Sequence, residues 1–219
     1  MIFENRVHAG NRLSDEFYGR KLERPIVLGI PCGGVVVASR VAARLACEFD
    51  VIVPRMLPIP FNPGAAFGVV TSDGTTVLND EILWEITLKK EQIEEITQEQ
   101  LNEAKRLERF YRGSTRKLHL EGRDVMLVDD GTADALALVA ASRSIRTQLP
   151  AHLCIGTPVI SASAAQKVQP EVDEIVAVIT SRSWRFSPES YYKELREIDH
   201  KTAKLFFLEV AKKKTKKKR

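Results

Sequence analysis

Short apolar runs alternate with helical patterns along nearly the whole chain, and this alternation limits the fold more than any other feature. PIVLGI (25–30), DVIVPRM (50–56), RDVMLVDD (123–130), HLCIGTPV (152–159) and EIVAVIT (174–180) have the length of strands and too few polar positions for a wet face. Between them, residues 6–22, 35–49, 132–148 and 161–169 carry helical spacing, and a last helix begins near Asp199. The expectation is an α/β fold with a twisted, mostly parallel sheet flanked by helices. A length of 219 residues suits one such domain, placed at 1–211, with a hairpin and helix hood inserted at about 57–118.

Within the hood, LPIPFNPGAAFG (57–68) is rich in Pro and Gly and is predicted as a loop. VVTS (69–72), the turn Asp73-Gly74 and TTVLN (75–79) predict a hairpin. Residues 89–112 predict a long helix, with acids early and bases late to match its dipole. Its apolar stripe of Ile93, Ile96, Leu101 and Leu107 is thin, which fits a solvent-bridging hood or a partner-packing helix.

The net charge of +4 describes one end of the chain only. The last eight residues, KKKTKKKR, hold seven of the 33 basic side chains, and the remainder faces 29 acids with a balance of −3. Such a charge run predicts a disordered basic tail at 212–219, either solubilising or weakly attracted to nucleic acid or another polyanion. No run of 18 apolar residues predicts a membrane span. The polar opening MIFENRVHAGNRLSDEF argues against a signal peptide, and Cys32, Cys47 and Cys154 lack metal-ligand spacing. Both features predict a cytoplasmic protein.

Two stretches carry chemistry. In LVDDG, Asp129 and Asp130 stand at the end of a buried strand, where open parallel sheets bind ligands. Strand alternation would turn the two acids in opposite directions, so that at most one aims squarely into a cleft. In PCGG, Gly33 and Gly34 open a helix after a strand and would let backbone N–H groups approach an oxyanion, although paired glycines also serve as a plain turn. The G-x-G-x-x-G dinucleotide fingerprint and the Walker loop are both absent. Cys32, at a helix start, could carry a lowered pKa, but no histidine lies near it in sequence to act as base.

Together the two stretches resemble the type I phosphoribosyltransferases, and more narrowly a bacterial and archaeal branch described as predicted phosphoribosyltransferases. The resemblance covers nearly the whole chain through ENRVHAGNRL, PCGGVVVA, FNPGAAFGVV, FYRG (110–113), LEGRDVMLVDDG and SPESYYKELREID. It implies a protein of nucleotide metabolism that binds phosphoribosyl pyrophosphate (PRPP) and swaps pyrophosphate for a nitrogen nucleophile. It also implies a Mg²⁺ ion riding on the ligand, near Asp129 and Asp130, and a homodimer. By resemblance, Asp129, Asp130, Gly131, Thr132, Ala133, Asp134 and Ala135 form the ribose-phosphate segment, while Cys32, Gly33, Gly34 and Arg55 form the pyrophosphate side. No residue is identified as catalytic.

The departures from this pattern are chemical. The family's turn reads D-D-G-x-x-T-G-x-T, and here Asp134, Ala135 and Ala137 replace a hydroxyl, a glycine and a second hydroxyl. A phosphomonoester of charge near −2 at about 5 Å from a carboxylate is repelled by roughly 6 kcal/mol at an effective dielectric of 20. Half of that weakens binding by about a hundredfold. Asp134 is expected to serve as a helix cap in the phosphate's place. Cys32 stands where the family commonly has Arg, Met56 replaces the Lys after Arg55, and Gly64-Ala65 follow Asn62-Pro63 in place of an acid. The expected function is therefore a non-catalytic or weakly active binding or regulatory protein of this fold. The alternatives are an active, Mg²⁺-assisted phosphoribosyltransferase acting on a nucleobase-like acceptor, or a polyanion-associated protein working through its tail. Phe186, Tyr191 and Tyr192 either line a pocket for a flat ligand or anchor the last helix.

Overall fold

The computed structural model describes residues 2–113, 118–133 and 135–217, without the side chains of Pro63 and 211–217. The chain runs through α1 (Arg6–Asp15), β1 (Ile26–Gly29), α2 (Gly33–Leu45) and β2 (Glu48–Val51). Then come β3 (Arg55–Ile59), β4 (Asn62–Val70), β5 (Thr76–Leu78), α3 (Asp80–Glu85) and α4 (Lys90–Arg112). It closes with β6 (Asp124–Val128), α5 (Leu136–Arg146), β7 (His152–Ser161), α6 (Ala162–Val168), β8 (Glu174–Ser181) and α7 (His200–Lys217).

Five strands form one parallel sheet in the order β2-β1-β6-β7-β8. The near-continuous apolar runs reflect burial on both faces. Val27, Met126, Val128 and Cys154 point into a core shared with α1, α2 and α7. Their neighbours Ile26, Leu28, Val125, Leu127, Leu153 and Ile155 point into a second core against α5 and α6. Chain order reverses between β1 and β6, so the loops leaving these two strands part to opposite sides and open a crevice at their carboxyl ends. The α/β expectation with a parallel sheet is met.

The segment 55–70 corrects the sequence reading. DVIVPRM is not one strand, because β2 ends at Val51 and β3 starts at Arg55 in a different sheet. The Pro- and Gly-rich stretch predicted as a loop is strand for most of its length, in an antiparallel sheet ordered β3-β4-β5. Pro58 is accommodated where the register shifts on both sides of it. Gly68 is there for proximity, since a Cβ would meet the Val77 carbonyl oxygen at 2.8 Å. The predicted hairpin is present, with Gly74 at φ +93° in its turn and Thr71 N–H donating to the Thr75 carbonyl.

The thin stripe of α4 is divided between two cores. Ile93, Ile96 and Leu101 pack against Leu57, Ile59, Phe67 and Val70 of the small sheet. Leu107 and Tyr111 enter the main core. The stripe is thus covered by its own chain. The backbone of α7 continues to Lys217, into the run expected to be disordered; lysine and alanine are good helix formers and extend a helix already held by Ala203 and Phe207. The helix predicted at 6–22 ends at Asp15.

Arg112 fastens the end of α4 to the main sheet. Its guanidinium, about 10% exposed, donates to Asp50 Oδ1 at 2.8 Å, Glu108 Oε2 at 2.9 Å and the Val51 carbonyl at 2.9 Å. Arg112→Met leaves two acids facing each other without their cation, and is expected to lower stability by about 2–4 kcal/mol. Urea denaturation would read this as a lower midpoint, with Arg112→Lys recovering only part because an ammonium cannot span the three acceptors.

Candidate functional site

The crevice between β1 and β6 brings the two chemistry-bearing stretches together. Ile30 N–H donates to the Val128 carbonyl at 3.0 Å and Asp129 N–H to the Gly156 carbonyl at 3.2 Å, which sets the depth at which each strand releases its loop. The β1–α2 loop then passes directly over the acid pair. A Cβ on Gly33 would overlap Asp130 Oδ2, and one on Gly34 would meet Asp129 Oδ1 at 3.1 Å and the Val128 carbonyl at 2.9 Å. The paired glycines are required by this approach. The Pro31–Cys32 peptide within the loop is cis.

Both acids border the same loop, contrary to the expectation from strand alternation. β6 ends at Val128, so Asp129 and Asp130 lie beyond the pleat that would have turned them apart. Each has a partner. Thr132 Oγ1 donates to Asp129 Oδ2 at 2.7 Å. Arg6 Nε donates to Asp130 Oδ2 at 2.6 Å, and Arg6 Nη1 donates to the Arg196 carbonyl at 2.5 Å. The Tyr192 hydroxyl donates to the Asp130 backbone carbonyl.

The turn after the acids is stitched to β7. Gly131 has φ +149°, and a Cβ there would meet Pro188 at 3.0 Å and Val159 at 3.2 Å. Thr132 N–H donates to the Val159 carbonyl and Ser161 N–H to the Thr132 carbonyl, both at 3.1 Å. The Ser161 hydroxyl donates to the Ala133 carbonyl at 3.3 Å. Ala135 occupies the N-cap position of α5 without a side-chain hydrogen bond. Asp134 lies outside the described residues, and the expectation that it caps the helix lies outside them too.

The pyrophosphate-side residues separate. Gly33 and Gly34 join the acid pair, while Cys32 faces α7 and α4. His200 Nδ1 lies 3.4 Å from Cys32 Sγ and 2.9 Å from the Tyr111 hydroxyl. The structure thus supplies a histidine that sequence proximity could not reveal. It does not create an activated thiol. Burial pushes the Cys32 thiol up and the His200 imidazole down, and the nearby Arg55 charge lowers His200 further, so the pair is held neutral. Arg55 donates to Gln100 Oε1 at 3.3 Å and lines a cavity of about 500 Å³ with Glu99, Glu103, Arg106 and Arg109. Among the described residues, no group of three or more His, Cys, Asp or Glu is placed to hold a metal.

Of the three aromatic candidates, Tyr192 is buried against Phe3, and Tyr191 donates its hydroxyl to Ser181 Oγ at 2.6 Å. Phe186 lines a cavity of about 320 Å³ with Trp184, Ser161, Ser181 and Ala133, beside the turn that follows the acids. Arg6 is the main residue of this crevice that the sequence reading passed over. It had a signal: residues 6, 9, 10, 13 and 14 form one helical stripe, and Ala9, Gly10, Leu13 and Ser14 are buried. A charge on that stripe needs a buried partner.

Burial, and then the Asp130 charge, push the Asp129 carboxyl up to about 7 despite the Thr132 hydroxyl. A folded-state value above the unfolded one gives stability that is full below the unfolded pKa and lost as pH rises through about 7. Asp129→Asn removes that loss. Its Tm is expected to exceed the parent's by roughly 2–4 °C at pH 8, with the gap closing towards pH 4, as calorimetric scans across that range would show.

No protein-family model matches the chain. Two Mycobacterium tuberculosis proteins, "Putative phosphoribosyl transferase MT0597" and "Putative phosphoribosyl transferase Rv0571c", are each 34% identical over 180 residues, which is 82% of this chain. The chain spans 40% of the length of these relatives. The crystal structure of TT1426 from Thermus thermophilus superposes with a TM-score of 0.77 at 32% identity, covering 95% of this chain and 99% of that one. A hypothetical protein from Neisseria gonorrhoeae, solved with bound ppGpp, shares the fold at 10% identity and a TM-score of 0.51, covering 95% and 98%. The acid pair at the switch point, the glycine loop pressed onto it and these relatives lead to one conclusion: the chain belongs to the phosphoribosyltransferase family of these relatives.

Proposed function

We propose that this protein binds a ribose-phosphate ligand of the PRPP class weakly, and serves as a non-catalytic or slowly turning-over member of its family. The observation that carries this reading is the acid pair itself. Asp129 and Asp130 stand at the crevice where such a ligand's hydroxyls would need acceptors, yet each already holds a protein donor. A ribose diol must compete with the Thr132 hydroxyl and the Arg6 guanidinium for the carboxylate oxygens, and this cost is subtracted from its affinity. The sequence of the turn adds to it. An acid at 134 and methyl groups at 135 and 137 stand where the family offers hydroxyls and a glycine to a 5′-phosphate.

The residues present fit a Mg²⁺ ion only jointly with a ligand. Mg²⁺ takes one or two carboxylates and completes its octahedron with water and phosphate oxygens. Asp129 and Asp130 can offer that much, directly or through water. The chain's own contribution would be to orient the sugar from the two carboxylates, with Gly33 and Gly34 allowing the loop backbone to close over it.

The alternative is an active phosphoribosyltransferase, and one observation favours it. The cavity lined by Trp184 and Phe186 opens beside Ala133 and offers both a flat apolar wall and hydroxyls, which suits a planar nitrogen-bearing acceptor.

NMR-monitored titration with PRPP and Mg²⁺ separates the two readings. The expected result is millimolar-range binding with shifts centred on residues 6, 30–34 and 128–133, and no pyrophosphate release. Micromolar binding with pyrophosphate release on adding nucleobases would overturn the non-catalytic reading. Asp134→Thr combined with Ala135→Gly is expected to tighten PRPP binding tenfold or more; an unchanged affinity would remove the acid from the explanation.

A further inference from the structure

Arg6 lies where the loop between β1 and α2 lacks a cation. Residue 32 is Cys, and its side chain turns towards Tyr111 and His200. Arg55 stands on the hood side, hydrogen-bonded to Gln100 of α4. The guanidinium that actually touches the loop comes from α1: Arg6 Nε is 2.5 Å from where a Gly33 Cβ would be, and 2.6 Å from Asp130 Oδ2. Its side chain is about 13% exposed. A diphosphate group over Gly33 would therefore have to lie against it.

The backbone carrying Arg6 is held firmly while its side chain has a choice of partners. Ile2 and Phe3 N–H both donate to the Tyr191 carbonyl at 2.9 Å, Lys193 N–H donates to the Phe3 carbonyl at 2.8 Å, and Glu194 N–H donates to the Glu4 carbonyl at 2.9 Å. Asn5 caps α1 by accepting from His8 N–H at 3.0 Å. Through Nη1 the guanidinium also grips the Arg196 carbonyl at 2.5 Å. Its fork is anchored at one nitrogen while Nε faces the exchangeable partner.

We infer that Arg6 reads the diphosphate end of the ligand, passing from the Asp130 carboxylate to a diphosphate oxygen as the sugar hydroxyls take Arg6's place on Asp130. This rests on the ribose-phosphate reading of the site. A diphosphate carries more negative charge than one carboxylate and offers the planar guanidinium several oxygens, so the exchange returns part of the cost of parting Arg6 from Asp130. The exchange makes two recognitions interdependent. Turning Nε towards the diphosphate costs least when a diol is present to satisfy Asp130. The site would then prefer a ligand carrying both groups over one carrying either alone.

Titrations of the full chain with PRPP, ribose 5-phosphate and inorganic pyrophosphate, each with Mg²⁺, test this in the parent protein and in Arg6→Gln and Arg6→Lys. The parent is expected to prefer PRPP over ribose 5-phosphate by tenfold or more. Arg6→Gln is expected to erase most of that preference while keeping ribose 5-phosphate affinity within about threefold, and Arg6→Lys to restore part of it. A purely structural role would weaken both ligands alike. If Arg6→Gln keeps the parent's preference, the role of Arg6 is wrong and the ribose-phosphate reading stands. If the parent binds neither sugar phosphate, both fall together. Should Arg6→Gln fail to fold, the Arg6→Lys ratio decides, because an unchanged preference with a point charge in place of the fork overturns the inference.

Discussion

The contact on which this site depends is the approach of a glycine loop to two carboxylates where the sheet reverses its winding. Gly33 and Gly34 have no side chains because Asp130 and Asp129 occupy that volume. The loop, the acids and Arg6 are consequently one packed unit assembled from α1, the start of α2 and the end of β6. The segment after β8 closes it from behind, with the Tyr192 hydroxyl on the Asp130 carbonyl and Pro188 against Gly131. Four separate parts of the chain fix the position of two side chains, which is the pre-organisation a binding crevice needs.

Burial decides the electrostatics in two places with opposite consequences. At Asp129 it disfavours charge so strongly that the carboxyl titrates near neutrality, a strain on the folded state that a ligand's hydroxyls or cation could relieve. At Cys32 and His200 it keeps a thiol and an imidazole neutral although they are in contact, and removes the nucleophile that their proximity alone would suggest. A list of neighbouring residues would not separate these cases. The direction of each shift and its main cause do.

The hood is joined to the sheet by α4, whose stripe serves two cores in turn, and Arg112 clamps its last turn to β2. Its strands are hard to read from sequence because proline and glycine normally interrupt structure. Here Pro58 sits at a register shift and Gly68 admits a neighbouring strand, uses that depend on partners remote in sequence. The long helix is legible because its charge gradient and spacing are local properties.

The sequence by itself determined the parallel α/β architecture, most of the buried strands of its sheet and the identity of the two stretches that meet at the crevice. Apolar period and run length act over a few residues and need no partner to be read. It also held an unread clue in Arg6, a charge on the buried stripe of α1. Only the tertiary structure decided that both acids face one loop, that Arg6 is the cation upon them, and that His200 reaches Cys32 across 168 positions of sequence separation. Those outcomes depend on where strands end and which helices cross. Long-range packing sets both, and no local pattern encodes them.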